Sequence, residues 1–525
     1  MSADIRRRTH LLCSDQCQCL RMFALVGIVT LLTLIYFVWT RWDILKLTWS
    51  LPGPLPLPLV GAGYLVLGKG NKDYLQFVEW LFKKYSSFHH LWLGPRMYLL
   101  VSDPKLIQSV LFAPETLNRD DIYDFVNVLG DAGGLLTLNG QTWKNHRKNL
   151  NPCFNVKILQ SYMPIFNEKA GIMMKNLTAR LHKGPFDFYE FMDACTLDMI
   201  CQTTLGAEMN IQKGQNQDYL YACNNLLPMI GIRIFSPWLY PDFLFKFSEL
   251  HKTTEKLRKI TSNFVEKVIK SKASNAEETK GYKSERRLSE DELTSYKKPQ
   301  IFIDQVMEMF KEGKLETMMD VKAHVGINIA AGFETSALTS SYCALMLAMH
   351  PKIQQKLYEE IESIFGKDCK NPVVEYEHFD RLEYLDRVLK ETLRLFPAGP
   401  YAARKVSKDF NLAGHKVPAG VRIMVSIVTV HHDKKVWGED VEKFNPDNFL
   451  PERVQARHPY SYLPFSAGPR NCIGMKYSLM SMKTMIIHLV SNYRLSTELR
   501  MEDLRTRYDV MLKLINKHMV SIEAR

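Results

Sequence analysis

"YLPFSAGPRNCIGMKYS", Tyr462 to Ser478, sets one cysteine, Cys472, among Phe465, Gly468, Arg470 and Gly474. The arrangement Phe-x-x-Gly-x-Arg-x-Cys-x-Gly specifies five residues in ten positions. At ordinary residue frequencies it arises by chance in roughly one chain of this length in ten thousand. The residue types share one chemical logic. A thiolate that ligates iron in a flat macrocycle needs hydrogen-bond donors to hold its charge and a dry, closely packed surround. Gly468 and Gly474 let backbone approach such a ring, Phe465 shields the sulfur, and Arg470 pairs with an acidic edge.

Three further motifs precede this loop. "KETLRLFP" (390–397) holds Glu391 and Arg394 at i,i+3 on one helix face, and "FNPDNFLPERV" (444–454) supplies Arg453. "AAGFETS", Ala330 to Ser336, sits within an apolar stretch and places Gly332 in a helix interior, where glycine costs about 1 kcal/mol relative to alanine. "WKNHR" puts Trp143 and Arg147 at i,i+4 on one face. With their order along the chain, these segments resemble the cytochrome P-450 haem-thiolate monooxygenases, from Met22 practically to the end. The nearest likeness is to the microsomal type, in the fatty-acid-hydroxylating branch with many insect members.

The resemblance implies a mainly α fold with small β-sheets and a long central helix over haem b. It makes Cys472 the axial ligand of the iron and gives Trp143, Arg147, Arg470 and Arg404 contacts with the haem edge. Gly332 would open a groove for oxygen, Thr335 would hydrogen-bond it, and Glu334 would relay protons. Glu391, Arg394 and Arg453 would form a buried structural cluster. In that branch a glutamate often precedes the helix glycine and forms an ester to haem. Ala331 stands there instead, so no ester is expected. The implied partners are an NADPH–cytochrome reductase, cytochrome b5, O2 and a lipophilic substrate such as a fatty acid, a terpenoid or steroid, or a xenobiotic. Two rival readings remain: a haem-thiolate isomerase or dehydratase acting on peroxides, and a non-catalytic haem-binding membrane protein.

Composition agrees with a folded body carried on a membrane. Of 525 residues, 46% are hydrophobic and 24% charged, with a formal charge of +12. There is no dense Lys/Arg stripe with interleaved aromatics, so nucleic acid is not expected as a partner. The cysteines form no zinc or disulfide pattern, which suits a reducing compartment. Residues 22–39, "MFALVGIVTLLTLIYFVW", carry no charge, and as a helix they span roughly 27 Å, enough for a single anchor in the endoplasmic reticulum. Arg6, Arg7 and Arg8 favour a lumenal body, whereas initiation at Met22 favours a cytosolic one. Residues 1–21 are accordingly read as an extension absent from the working protein. Residues 40–58 contain the strap "LPGPLPLP" (51–58), and 59–525 form the haem domain.

Within that domain, residues 90–104 predict two strands around Gly94-Pro95, and residues 404–430 predict a second β patch with a hairpin. Residues 271–300 predict an exposed connection, and about 316–349 a long buried helix ended by His350-Pro351. His431-His432 reads as a turn after an apolar strand rather than a metal site. Asn176 is a glycosylation sequon that a cytosolic body would never present to the modifying enzyme.

Overall fold

Thr317 starts the helix around which the protein packs. Its hydroxyl accepts from the Asp320 backbone N–H at 3.1 Å, and the Asp320 carboxylate accepts from the Thr317 N–H at 2.9 Å, a reciprocal capping box. The helix runs Met318–Met349 and stops where Pro351 lacks an N–H. The computed structural model describes residues 22, 24–29, 31–33, 35–36, 38–57, 60–66, 68–70, 72–130, 134–280 and 300–525.

The central helix is buried on nearly every side, as its unbroken apolar sequence requires. Helix Tyr189–Leu205 crosses it closely. A Cβ on Gly332 would lie 2.7 Å from Cδ1 of Ile200 on that helix, so glycine here leaves room for the Ile200 side chain. Helices Met163–Thr178, Glu383–Leu395 and Met475–Asn492 complete the largest hydrophobic core around it.

A five-stranded sheet lies to one side, in the order Phe88–Leu93, Arg96–Val101, Arg422–Ser426, Tyr401–Lys405, Asn118–Arg119. The first pair is the expected hairpin, with Leu93 opposite Arg96 across Gly94-Pro95. The second β patch contains the predicted hairpin, Phe410–Leu412 with His415–Val417. Ala413 and Gly414 turn it with φ of +53° and +80°, values that a two-residue turn of this hand demands. Arg96–Val101 and Arg422–Ser426 run parallel, joining residues more than three hundred positions apart.

Two segments differ from the sequence reading, and His431 follows it. Helix Glu249–Lys280 continues into the stretch expected to be an exposed connection from 271; residues 281–299 lie outside the described residues. The apolar stretch 22–39 was expected to be a single anchor. Among the described residues no single helix is long and apolar enough to cross a membrane, and Ala24–Thr40 with Trp42–Ser50 pass that test only together, with a 65° bend between them. His431 belongs to a helical turn, Ile427–His431, that follows strand Arg422–Ser426. It is fully buried and accepts from the Leu463 N–H at 2.8 Å. The extension 1–21 lies outside the described residues. The strap is pinned to the sheet, with the Pro52 carbonyl accepting from the His90 N–H at 3.0 Å.

Candidate active site

The Cys472 N–H donates to the Phe465 carbonyl at 2.9 Å, closing the loop that carries the sulfur. Gly468 takes φ of +70°, and a Cβ there would strike the Leu111 carbonyl. Its glycine is therefore required by helix Pro104–Phe112, and this residue is not on the cavity wall; the sequence reading had placed it against the macrocycle. Gly474 does line the cavity, and a Cβ on it would stand 4.0 Å from the Cys472 Sγ. Burial raises the Cys472 thiol above its ordinary range, while the Gly474 N–H, Arg147 and Arg119 favour the thiolate. Cys472 is exposed to the cavity that it lines.

That cavity holds about 1100 Å³. Cys472 and Phe465 lie on one side of it, and the central helix contributes Ala331, Gly332 and Thr335. Tyr74, Phe235, Tyr401 and Tyr508 form an aromatic cluster farther along, with ring centroids 4.8–6.0 Å apart. Among the described residues no Asp or Glu lines it; the charged residues are Lys69, Arg96, Arg119, Arg147 and Arg470.

Four arginines converge at one edge. Arg470 is buried, donates to the Leu117 and Leu138 carbonyls at 2.9 and 2.8 Å, and lies 3.8 Å over the Trp143 ring. Arg147 donates to the Asn471 carbonyl and side chain at 3.0 and 2.8 Å, tying its helix to the cysteine loop. Arg404 is buried behind them and stands directly across a strand pair from Arg119. Like charges so placed repel. Burial, then Arg119 and Arg147, push the Arg470 guanidinium down to about 9. Buried nitrogens on Arg119, Arg404 and Arg470 lack any acceptor. Such a cluster calls for an anion with several carboxylate oxygens, and the two propionates of haem, with Cys472 Sγ facing the same space, meet that description. Arg119 was not found by sequence reading; a lone arginine in a two-residue strand has no motif to announce it.

The central helix separates two neighbours. The Thr335 hydroxyl lies on the cavity and donates to the Ala331 carbonyl at 2.7 Å. Glu334 is fully buried off the cavity wall and pairs with Lys513 of strand Met511–Leu514. Burial raises its carboxyl, and Lys513 opposes that rise. Consecutive helical residues point about 100° apart, so one of the pair meets the cavity and the other the core.

Glu391 and Arg394 form a fully buried bidentate pair with both contacts at 2.8 Å. The Asn445 N–H and Asn448 amide also donate to Glu391, and Arg394 reaches the His431 carbonyl at 3.0 Å. Arg453 is a correction. It lies exposed on the short helix Pro451–Ala456 and reaches only the Asn448 side chain, at 3.3 Å, because that amide already occupies the approach to Glu391.

The sequence model of the family described as Cytochrome P450 matches residues 51–521. Cytochrome P450 4c21 of Blattella germanica is 32% identical over 505 residues, covering 96% of this chain and 99% of that protein. Probable cytochrome P450 313a4 of Drosophila melanogaster is 32% identical, covering 94% and 97%. Cytochrome P450 4V2 of Homo sapiens is 30% identical over 91% of each chain. The likeness to proteins of one name thus extends over nearly the whole length of the chain. The chain belongs to the cytochrome P450 family: it is a monooxygenase that uses haem b, non-covalently bound.

Proposed function

We propose that this monooxygenase inserts one atom of O2 into a neutral or acidic lipophilic substrate, drawing electrons from NADPH through a separate reductase, with cytochrome b5 as a second donor. The observation that carries the reading is the Cys472 sulfur facing the same cavity as the Thr335 hydroxyl. Haem, when bound, supplies the O2-activating iron. Cys472 would ligate it, Phe465 and Gly474 would enclose the sulfur, and Arg119, Arg147, Arg404 and Arg470 with Trp143 would hold the acidic edge. The Thr335 hydroxyl would hold a proton at the cavity, and Glu334 would supply it from the core. An apolar wall without carboxylates among the described residues favours neutral or acidic lipophiles over amines, since a buried ammonium would find no counter-ion among them.

The chain is proposed to act at the endoplasmic reticulum with its catalytic body in the cytosol, carried by an anchor at 22–39 and joined through 40–58 to a haem domain from 59 to 525. The test pairs a carbon monoxide difference spectrum with reductase-dependent product formation. The reading requires a thiolate-type band, its loss in Cys472→Ser, and product only when both NADPH and reductase are present. Turnover of a peroxide without either would instead favour an isomerase.

A further inference from the structure

Behind the cavity wall, polar groups from four elements meet in the core without completing their pairs. The central helix brings Glu334, helix Tyr189–Leu205 brings Asp193 and Tyr189, helix Gln217–Ile234 brings Asn224 and Cys223, and strand Met511–Leu514 brings Lys513. Asp193 is 2% exposed and Glu334 fully buried. Asn224 donates to one oxygen of Asp193, and the other oxygen and the Tyr189 hydroxyl are buried without a partner. The Cys223 thiol stands close by. Lys513 pairs with Glu334. The next carboxylate, Asp509, has a cation of its own, Arg507, at 2.6 Å.

The charge count decides the protonation. Two buried carboxyls share one ammonium, and a second bare carboxylate in this core would lack a counter-ion. One of the two must keep its proton near neutrality. Glu334 holds the cation, whereas Asp193 has neutral hydrogen-bonding neighbours. Burial, assisted by repulsion from Glu334, lifts the Asp193 carboxyl to about 7.

We propose that Asp193 is a positioning residue for oxygenation: it stores a proton in the core and passes it to the Glu334 carboxylate, from which it moves on toward Thr335. This rests on the role proposed above for Glu334 and Thr335. In this step an O–H bond of Asp193 breaks and one forms on Glu334, and the Glu334 O–H bond then breaks as the proton moves toward Thr335. Lys513, with a side chain 12% exposed, screens the carboxylate left on Asp193, and solvent at its ammonium returns the proton. Each cycle consumes two protons as one oxygen atom leaves as water.

Infrared spectra of the ferric holoenzyme between about pH 6 and about pH 8 test the assignment, since the carbonyl band of a protonated carboxyl reports the proton directly. The wild type should show a carboxyl band that disappears as pH rises through this interval. Asp193→Asn should lack the band, and Glu334→Gln should keep it. Product formed per NADPH should fall with rising pH in the wild type and become low and pH-independent in Asp193→Asn. Should that variant fail to load haem, Asn224→Ala serves instead: losing a donor to the carboxylate moves the band's midpoint to higher pH. A band that survives Asp193→Asn, an unmoved midpoint in Asn224→Ala, or no titrating carboxyl would overturn the proposal. The carbon monoxide spectrum is independent of this band, so failure of the haem-thiolate reading would be recognised separately.

Discussion

Thr335 presents its hydroxyl to the cavity while its backbone neighbour Glu334 faces the core, and this division fixes what each substitution should do. Thr335→Ala removes the hydroxyl and leaves the sulfur and the arginine cluster in place. Haem content and the carbon monoxide spectrum should stay near the parent's, while product per NADPH falls about tenfold, about 1.4 kcal/mol in the barrier, and hydrogen peroxide rises to match. Unchanged coupling, measured as product and peroxide per NADPH, would reduce Thr335 to a packing residue. At this scale the sequence was legible where chemistry is local. The loop around Cys472 and the Glu391–Arg394 pair lie within short spans, so spacing alone brings their members together. Arg119 and Lys513 were not legible, because their partners come from strands and helices far along the chain. Arg453 was misplaced for a related reason: the motif gives its position in sequence, but Asn448 decides which group reaches Glu391.

Helix contacts carry two further expectations. Glu391→Ala would leave the Arg394 guanidinium buried without its carboxylate, a loss of about 3–5 kcal/mol. The haem-loaded yield and melting temperature should drop sharply, and a normal melting curve would contradict the buried pair. Gly332→Ala gains about 1 kcal/mol of helix propensity but thrusts a methyl group at Ile200, and overpacking of this kind costs about 1–3 kcal/mol. Net destabilisation should follow, and a second substitution, Ile200→Ala, should recover part of it in thermal melts; no recovery would place the glycine's constraint elsewhere. The central helix was readable almost to its cap because an apolar run that long has few other uses. The helix ending at Lys280 was not, since its last turns carry a polar sequence that composition alone assigns to a loop.

For the whole molecule, pH should act through histidines sealed in the core. Burial lowers His89, His90, His324 and His488 to about 4, and His431 and His518 to about 3. A depressed histidine contributes stability above its unfolded value, and that contribution is lost as pH falls through the folded one. Near pH 5 these six should make the unfolded chain bind about five to six more protons than the folded one, giving a steep acid limb. Asp193 works in the opposite sense: its raised carboxyl contributes stability that is lost as pH rises through about 7. One carboxyl offsets only part of six histidines, so melting temperature should climb steeply between about pH 4 and about pH 6.5 and level off above about pH 7, and a flat profile down to about pH 4 would show these histidines to be hydrated. The converging arginines have a different consequence, in the timing of synthesis. Arg119 and Arg147 emerge from the ribosome early and Arg404 and Arg470 late, with Cys472 beside the last of them. At about 5–20 residues per second, roughly 16–65 s separate Arg147 from Arg470. During that interval the nascent chain carries half of a mutually repelling cationic site and no sulfur to go with it, so cofactor capture must wait until translation is nearly finished.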